Sequence, residues 1–336
     1  MTKKEQPTFI DLFSGIGGFR VGMDHAGFKH VFSNDYDKYA SQTYKAWYGA
    51  ENHLCKSIWD VDIETEIPAH DILCGGFPCQ PFSNAGKRLG FQDKKQGNLF
   101  YRIAEIVESK KPKVIFLENV RTLKNHDAGN TFQTINNTLA GLGYAGAHEM
   151  ISAKYWVPQN RVRMYMVYFN LSTIAQEDVD LFQEELTQLK TGKGKKVKSL
   201  SSIMEKNPDR SYEIPSGTWE SLKKHKARHK AAGRGFGFKL IEDFSKPTNT
   251  LSARYAKDGA EILIKQENWQ RPRKITLNEA KKLMGFQNKF SRLYPHLKNK
   301  NFPGGICSNH QSYKQFGNSV VPQIVQEIGD LIQKYI

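Results

Sequence analysis

Five short apolar runs punctuate the first half of the chain: "TFIDLF" (8–13), "HVFSN" (30–34), "DILCGG" (71–76), "VIFLEN" (114–119) and "RMYMVYF" (163–169). Each is too short for a core helix, and most are apolar without strict alternation, the pattern of strands buried on both faces. Between them, helical spacing predicts helices over roughly 17–27, 37–48, 98–110 and 130–142. Strands alternating with helices predict a doubly wound α/β sheet. Ligands on such sheets sit beyond the carboxyl ends of the strands, so the residues following each run carry the chemistry.

The pattern changes after about residue 170. "QLKTGKGKKVKSLSS" (188–202) reads as a solvated lysine–glycine loop. "SLKKHKARHKAAGRGFGFKL" (221–240) mixes cations, histidines and aromatics, as nucleic-acid surfaces do. "QSYKQFGNSVVPQIVQEIGDLIQKYI" (311–336) returns to an apolar, helix-like pattern that is expected to pack on the first domain. The expected division is therefore a domain of residues 1–170 plus 305–336, interrupted by a smaller, mostly β or irregular domain of residues 171–304.

Composition adds a partner. With 49 Lys+Arg against 34 Asp+Glu, the net charge is +15. That balance favours a polyanion, although a basic surface also serves solubility alone. No apolar run reaches the roughly 18 residues of a membrane span, and the start "MTKKEQPTFIDLF" lacks an apolar signal core, so a cytoplasmic protein is expected. The four cysteines, Cys55, Cys74, Cys79 and Cys307, have no metal-ligand spacing and read as free thiols, with no metal expected.

The candidate chemistry follows the strands. In "DLFSGIGGF", Gly15, Gly17 and Gly18 allow a tight turn and close approach to a ligand, though any strand-to-helix turn uses glycine too. Asp35 lies 20 residues beyond Gly15, the offset at which an acid meets ribose hydroxyls. Capping of the next helix is the competing reading. Tyr36 beside it offers a face to an adenine. "GGFPCQPFSNAGKR" holds Cys79 between two prolines on a stiff, non-helical turn, unlike a core thiol. Glu118 leaves the next strand in "ENV". A thiol and a carboxyl at neighbouring strand ends suit attack on an electron-poor ring with acid assistance at a ring nitrogen. Arg161 and Arg163 in "QNRVR" alternate as along a strand and are expected to face one side.

Taken in order, these blocks resemble the DNA (cytosine-5) methyltransferases over nearly the whole chain. "DLFSGIGGF" is similar to the family's S-adenosylmethionine loop, "GFPCQPFS" to its nucleophile loop, and "FLENV" and "QNRVR" to its glutamate and arginine motifs. "RPRKITLNEAKKLMGF" (271–286) and "YKQFGNSVVP" (313–322) resemble its two C-terminal motifs. The resemblance implies a Rossmann-like S-adenosylmethionine-dependent methyltransferase domain with a target-recognition insertion. It implies Cys79, Glu118, Arg161 and Arg163 as catalytic residues acting on a flipped cytosine. It implies Phe13, Gly15, Ile16, Gly17, Gly18, Asp35, Tyr36, Ile58, Asp60, Pro78, Leu99, Asn318 and Ser319 around S-adenosylmethionine. The family's usual Gly-Asp-Ile is replaced here by "KSIWDVD", which leaves Ser57 or Asp60 for the adenine contact.

"SNAGKRLGFQDKKQGN" resembles the loop that closes over DNA, which places Ser83, Lys87 and Arg88 on double-stranded DNA. "GRGFGFKL" and "NTLSARYAKDGAEILI" are similar to the recognition regions of bacterial restriction-modification enzymes acting on the inner cytosine of CCWGG or CCNGG. "TWESLKKHKARHKAAGRGFGF" also resembles some CCGG enzymes. Arg234, Thr250 and Arg254 are the expected DNA contacts, the arginines as guanine readers or phosphate anchors. A monomer is expected, because two domains can close around DNA without a dimer, and any cognate restriction endonuclease is expected to act separately. A tRNA-methylating branch shares the catalytic blocks, and a non-catalytic DNA-binding protein could keep the fold.

Overall fold

The structure is a computed structural model that describes residues 6–78, 99–286, 290, 293–295 and 306–336. In chain order its elements are β1 (Thr8–Leu12), α1 (Gly18–His25), β2 (Lys29–Asp35), α2 (Lys38–Tyr48), β3 (His53–Cys55), α3 (Ile63–Glu66), β4 (Ile72–Gly76), α4 (Leu99–Lys110), β5 (Val114–Val120) and α5 (Asn130–Gly141). There follow β6 (Tyr144–Ser152), β7 (Val162–Asn170), α6 (Gln176–Lys190), α7 (Ser216–Ala231), β8 (Leu240–Ile241), α8 (Tyr255–Asp258), β9 (Leu263–Ile264), α9 (Leu277–Leu283), α10 (Asn309–Asn318) and α11 (Pro322–Ile332).

Seven strands form one mixed sheet in the order β3-β2-β1-β4-β5-β7-β6. Neighbours from β3 to β5 are parallel, whereas β7 runs antiparallel to both β5 and β6. The chain leaves β1 towards β2 on one side and returns to β4 on the other. The switch point of this α/β fold therefore lies between β1 and β4, the position beyond whose carboxyl ends such folds take their ligands. The continuous apolar runs have their expected cause: Ile10, Leu12, Leu73, Ile115, Leu117 and Met166 are almost wholly buried, with helices over the faces. Helix α11 meets α1 so closely that a Cβ on Gly22 would lie 2.6 Å from the Val325 side chain.

Within the described residues the chain forms two compact units. One comprises Met1–Ser152, Val162–Gly194 and Pro322–Ile336, and the other Ala153–Arg161 and Lys195–Val321. These limits differ from the boundaries expected from the sequence. Helix α6 belongs to the first unit because its buried Phe182 packs edge-on against Phe169 of β7, ring centroids 4.9 Å apart. Helix α10 belongs to the second, where a Cβ on Gly317 would lie 2.3 Å from the backbone of Ser252 and Ala253. The second unit carries β8 paired with β9 in parallel and a small apolar cluster around Ile214, Leu222 and Leu263. Among the described residues, no helix is long and apolar enough to cross a membrane.

Candidate active site

The glycine turn is built by its own backbone geometry. Phe13, Gly15 and Gly17 all take positive φ (56°, 53° and 76°), and Gly17 caps α1 in the left-handed region. Ser14 N donates to Asn34 O at 3.0 Å and Gly17 N to Ser14 O at 2.8 Å, which fixes the turn against the end of β2. Tyr48 closes its outer side, its hydroxyl donating to Ile16 O at 3.0 Å. A Cβ on Gly15 would meet nothing within 4 Å, whereas one on Gly17 would lie 2.5 Å from the Tyr48 ring. The turn is thus packed on one side and open above Gly15.

Asp35 ends β2 and is buried, and its carboxylate links two loops. One oxygen accepts Gly15 N at 2.8 Å and the other accepts Asp37 N at 2.8 Å. The helix cap is Asp37, whose side chain accepts Tyr39 N and Ala40 N, so capping is not what Asp35 does. Tyr36, next in the chain, is 77% exposed. Ile58 is buried in the core. It begins a single 3-10 turn ending at Asp60, which is exposed, and Ser57 caps the turn by accepting Trp59 N at 3.3 Å. Pro78 is exposed beyond β4, and Leu99 packs at the start of α4. An open cradle over Gly15, an anchored carboxylate and an exposed aromatic face together fit an adenosine-type group.

The adjacent strand ends carry the second cluster. Gly76 of β4 pairs in parallel with Glu118 of β5, so the segment entering Cys79 runs beside the carboxylate. Cys79, Ser83, Lys87 and Arg88 lie outside the described residues. Glu118 is 8% exposed and accepts an ion pair from Arg163, Nε to Oε1 at 3.1 Å across the β5–β7 ladder. Arg163 also donates from Nη1 to Val162 O at 2.8 Å. Asn119, which the sequence reading passed over, donates from Nδ2 to Phe77 O at 2.9 Å and accepts Val120 N. Its amide within "LENV" was the available signal.

Arg161 departs from expectation. It precedes β7 instead of sharing that strand with Arg163, and it belongs to the second unit. There its buried guanidinium donates to Leu251 O, Gly317 O and Ser319 O at 2.9, 3.1 and 2.7 Å, tying its own segment to two others by their carbonyls. Ser319 is buried and Asn318 exposed, both in that unit. Arg234 and Arg254 are exposed there, while the Thr250 hydroxyl donates to Asn160 O at 2.9 Å.

Buried ionisable groups near the sheet are shifted by desolvation. Burial raises the Asp11 carboxyl well above its ordinary range, against the opposing pull of Arg20. Burial likewise pushes the Cys74 thiol up, which leaves it inert. Among the described residues, no group of three or more His, Cys, Asp or Glu is arranged for a metal.

Known proteins resemble this chain in sequence and in fold. The profile of the C-5 cytosine-specific DNA methylases matches residues 7–334. Type II methyltransferase M1.ScrFI of Lactococcus lactis subsp. cremoris is 44% identical over 323 residues, covering 96% of this chain and 76% of that protein. Type II methyltransferase M.NlaX of Neisseria lactamica is 42% identical, covering 96% of this chain and 94% of that one. The crystal structure of S. pombe Dnmt2 methyltransferase superposes with a TM-score of 0.73 over 98% of this chain and 99% of that one at 17% identity, a likeness of fold.

Proposed function

The chain belongs to the C-5 cytosine-specific DNA methylase family, and on that premise we propose that it methylates C5 of a flipped cytosine in a short duplex DNA site, as the modification enzyme of a type II restriction-modification system. The observation that carries the reading is the Glu118–Arg163 pair at the end of β5, beside the β4 end that leads into Cys79. Cytosine C5 is a poor nucleophile. Addition of the Cys79 thiolate to C6 makes an enamine of the ring and turns C5 into a carbon nucleophile. Glu118 would act as the acid that donates a proton to N3 and so neutralises the negative charge developing there, and Arg163 holds its carboxyl group in place. Once C5 has taken up a methyl group, loss of its proton to solvent and expulsion of the Cys79 thiolate restore the aromatic ring.

S-adenosylmethionine, when bound, supplies an electrophilic methyl group. The residues that would hold it are Phe13, Gly15 to Gly18, Asp35 and Tyr36, with the Ser57–Asp60 turn, Pro78 and Leu99. Target reading is assigned to the second unit, with Arg234 and Arg254 as base or phosphate contacts, Thr250 beside them and Arg161 as an internal brace. The site favoured by the resemblance is the inner cytosine of CCWGG or CCNGG. The enzyme acts as a cytoplasmic monomer, apart from any cognate endonuclease.

The test is transfer of labelled methyl groups from S-adenosylmethionine to unmethylated bacterial DNA and to tRNA, with bisulfite sequencing of the DNA. Label at the inner cytosine of either motif, abolished by Cys79→Ser, supports chemistry and target. Label at another motif overturns the target, and label confined to tRNA overturns the substrate.

A further inference from the structure

Helix α7 reads SGTWESLKKHKARHKA and is polar nearly all round, with Leu222 its one buried residue. Two of its side chains are of a different chemistry from the lysines and arginines beside them. His225 and His229 stand four residues apart and so share one helix face. Their Nε2 atoms are 3.1 Å apart, and the rings lie with centroids 4.4 Å apart and planes inclined by 57°. Both are half-buried, so the pair is held at the surface and remains reachable from solvent.

Histidines at this spacing are how a helix offers two imidazoles to a single ion. With metal–nitrogen bonds of about 2.1 Å, nitrogens at this separation subtend about 95° at the ion, close to the octahedral angle and within reach of the tetrahedral one. Imidazole is a ligand for zinc, copper and nickel, and a poor one for magnesium or calcium. We propose that His225 and His229 chelate one divalent transition-metal ion of that class, with water completing the shell, since no third His, Cys, Asp or Glu among the described residues joins them.

The neighbouring Lys224, Lys226 and Arg228 oppose a dication, but at an exposed helix surface such repulsion is weak and screened by salt. The ion would also steady what hangs from His229. Arg234 N donates to His229 O at 2.8 Å, and the Phe236 ring stands edge-on to the His229 ring at 5.6 Å. Gly237 lets the same loop pass close to the helix, since a Cβ there would lie 2.7 Å from Lys226 Cγ.

The experiment is titration calorimetry of tag-free, full-length protein with Ni²⁺ and with Zn²⁺, comparing the wild type with His225→Gln and His229→Gln. One binding event in the wild type that vanishes in both variants is the expected result, and thiols common to all three proteins cancel. Equal uptake in all three, or loss in only one variant, overturns the chelate. On the unsubstituted protein, Ni²⁺ should shield His225 and His229 together from diethyl pyrocarbonate, read by mass spectrometry. Unchanged labelling of the pair at saturating Ni²⁺ would equally overturn it.

Discussion

The side-chain amide of Asn119 donates to the carbonyl of Phe77 at 2.9 Å, tying the residue after Glu118 to a point two residues before Cys79. Two parallel strands that end side by side would otherwise leave their loops to diverge. This bond holds the chain that leads towards Cys79, the proposed nucleophile, against the strand that carries Glu118, the proposed acid. Positioning errors near 1 Å cost about 100-fold in rate. Asn119→Ala is therefore expected to lower kcat by about 10- to 100-fold, with a smaller change in KM for DNA. Steady-state kinetics that show a KM effect alone would rule out the positioning role.

The glycine turn predicts a split between two alanine substitutions. Gly15 has open space where a Cβ would go, so Gly15→Ala costs only its left-handed conformation, about 1–2 kcal/mol. The added methyl, however, enters the space assigned to the cofactor. KM for S-adenosylmethionine should rise while the melting temperature falls modestly. At Gly17 the new methyl would collide with the Tyr48 ring and break the Tyr48–Ile16 bond, so Gly17→Ala should lose more thermal stability than Gly15→Ala. Equal melting temperatures would contradict the asymmetry.

In the second unit, Arg273 and Glu279 form an ion pair with both side chains fully buried. The two bonds are 2.8 and 2.9 Å, and the carboxylate also accepts Thr276 N and Glu205 N, joining the start of α9 to a distant loop. Removing one charge from such a pair leaves the other uncompensated, at a cost of about 3–5 kcal/mol. Glu279→Gln should thus speed amide exchange through residues 205–283 and leave β1 to β5 protected. The double change Arg273→Met with Glu279→Leu should recover part of the loss. Uniform loss of protection across both units would show that the pair is not local to the second.

Much of this was legible because buried parallel strands must be apolar throughout. The runs at 8–13, 30–34, 71–76, 114–119 and 163–169 announce β1, β2, β4, β5 and β7, and the helices between them follow by period. The strands β3 and β6 were not announced. β3 is only His53–Cys55, and β6 is an edge strand whose "YAGAHEMIS" has its apolar run broken by Gly146, His148 and Glu149. The glycine turn and Asp35 were readable as a pair, but that Asp35 braces Gly15 while Asp37 caps the helix needed coordinates. Arg161 was placed on a strand with Arg163 because alternation cannot reveal where a strand begins. Its carbonyl partners are 90 or more residues away in sequence, which no local pattern encodes.

Three buried histidines predict how stability falls with acid. Burial, reinforced by the charges of Arg20 and His53, lowers His30 to about 3. Burial with the Lys45 charge lowers His53 to about 4. Burial lowers His70 to about 4 despite its bond to Pro68 O. All three are neutral in the fold and take up protons near their ordinary pKa of about 6.5 once the chain unfolds. Their contribution is complete above about pH 6.5 and is lost progressively as pH falls towards 4 and then 3. Each histidine adds a slope of up to about 1.4 kcal/mol per pH unit. Asp11 works the other way, since its raised carboxyl binds a proton in the fold before it does in the unfolded chain, and it offsets part of that slope. Urea midpoints measured from pH 7.5 to 5 should therefore fall steeply below 6.5, and His70→Gln should flatten the fall by about a third, one histidine in three. A midpoint that stays constant between pH 7 and 5 would mean that these histidines are protonated in the native protein.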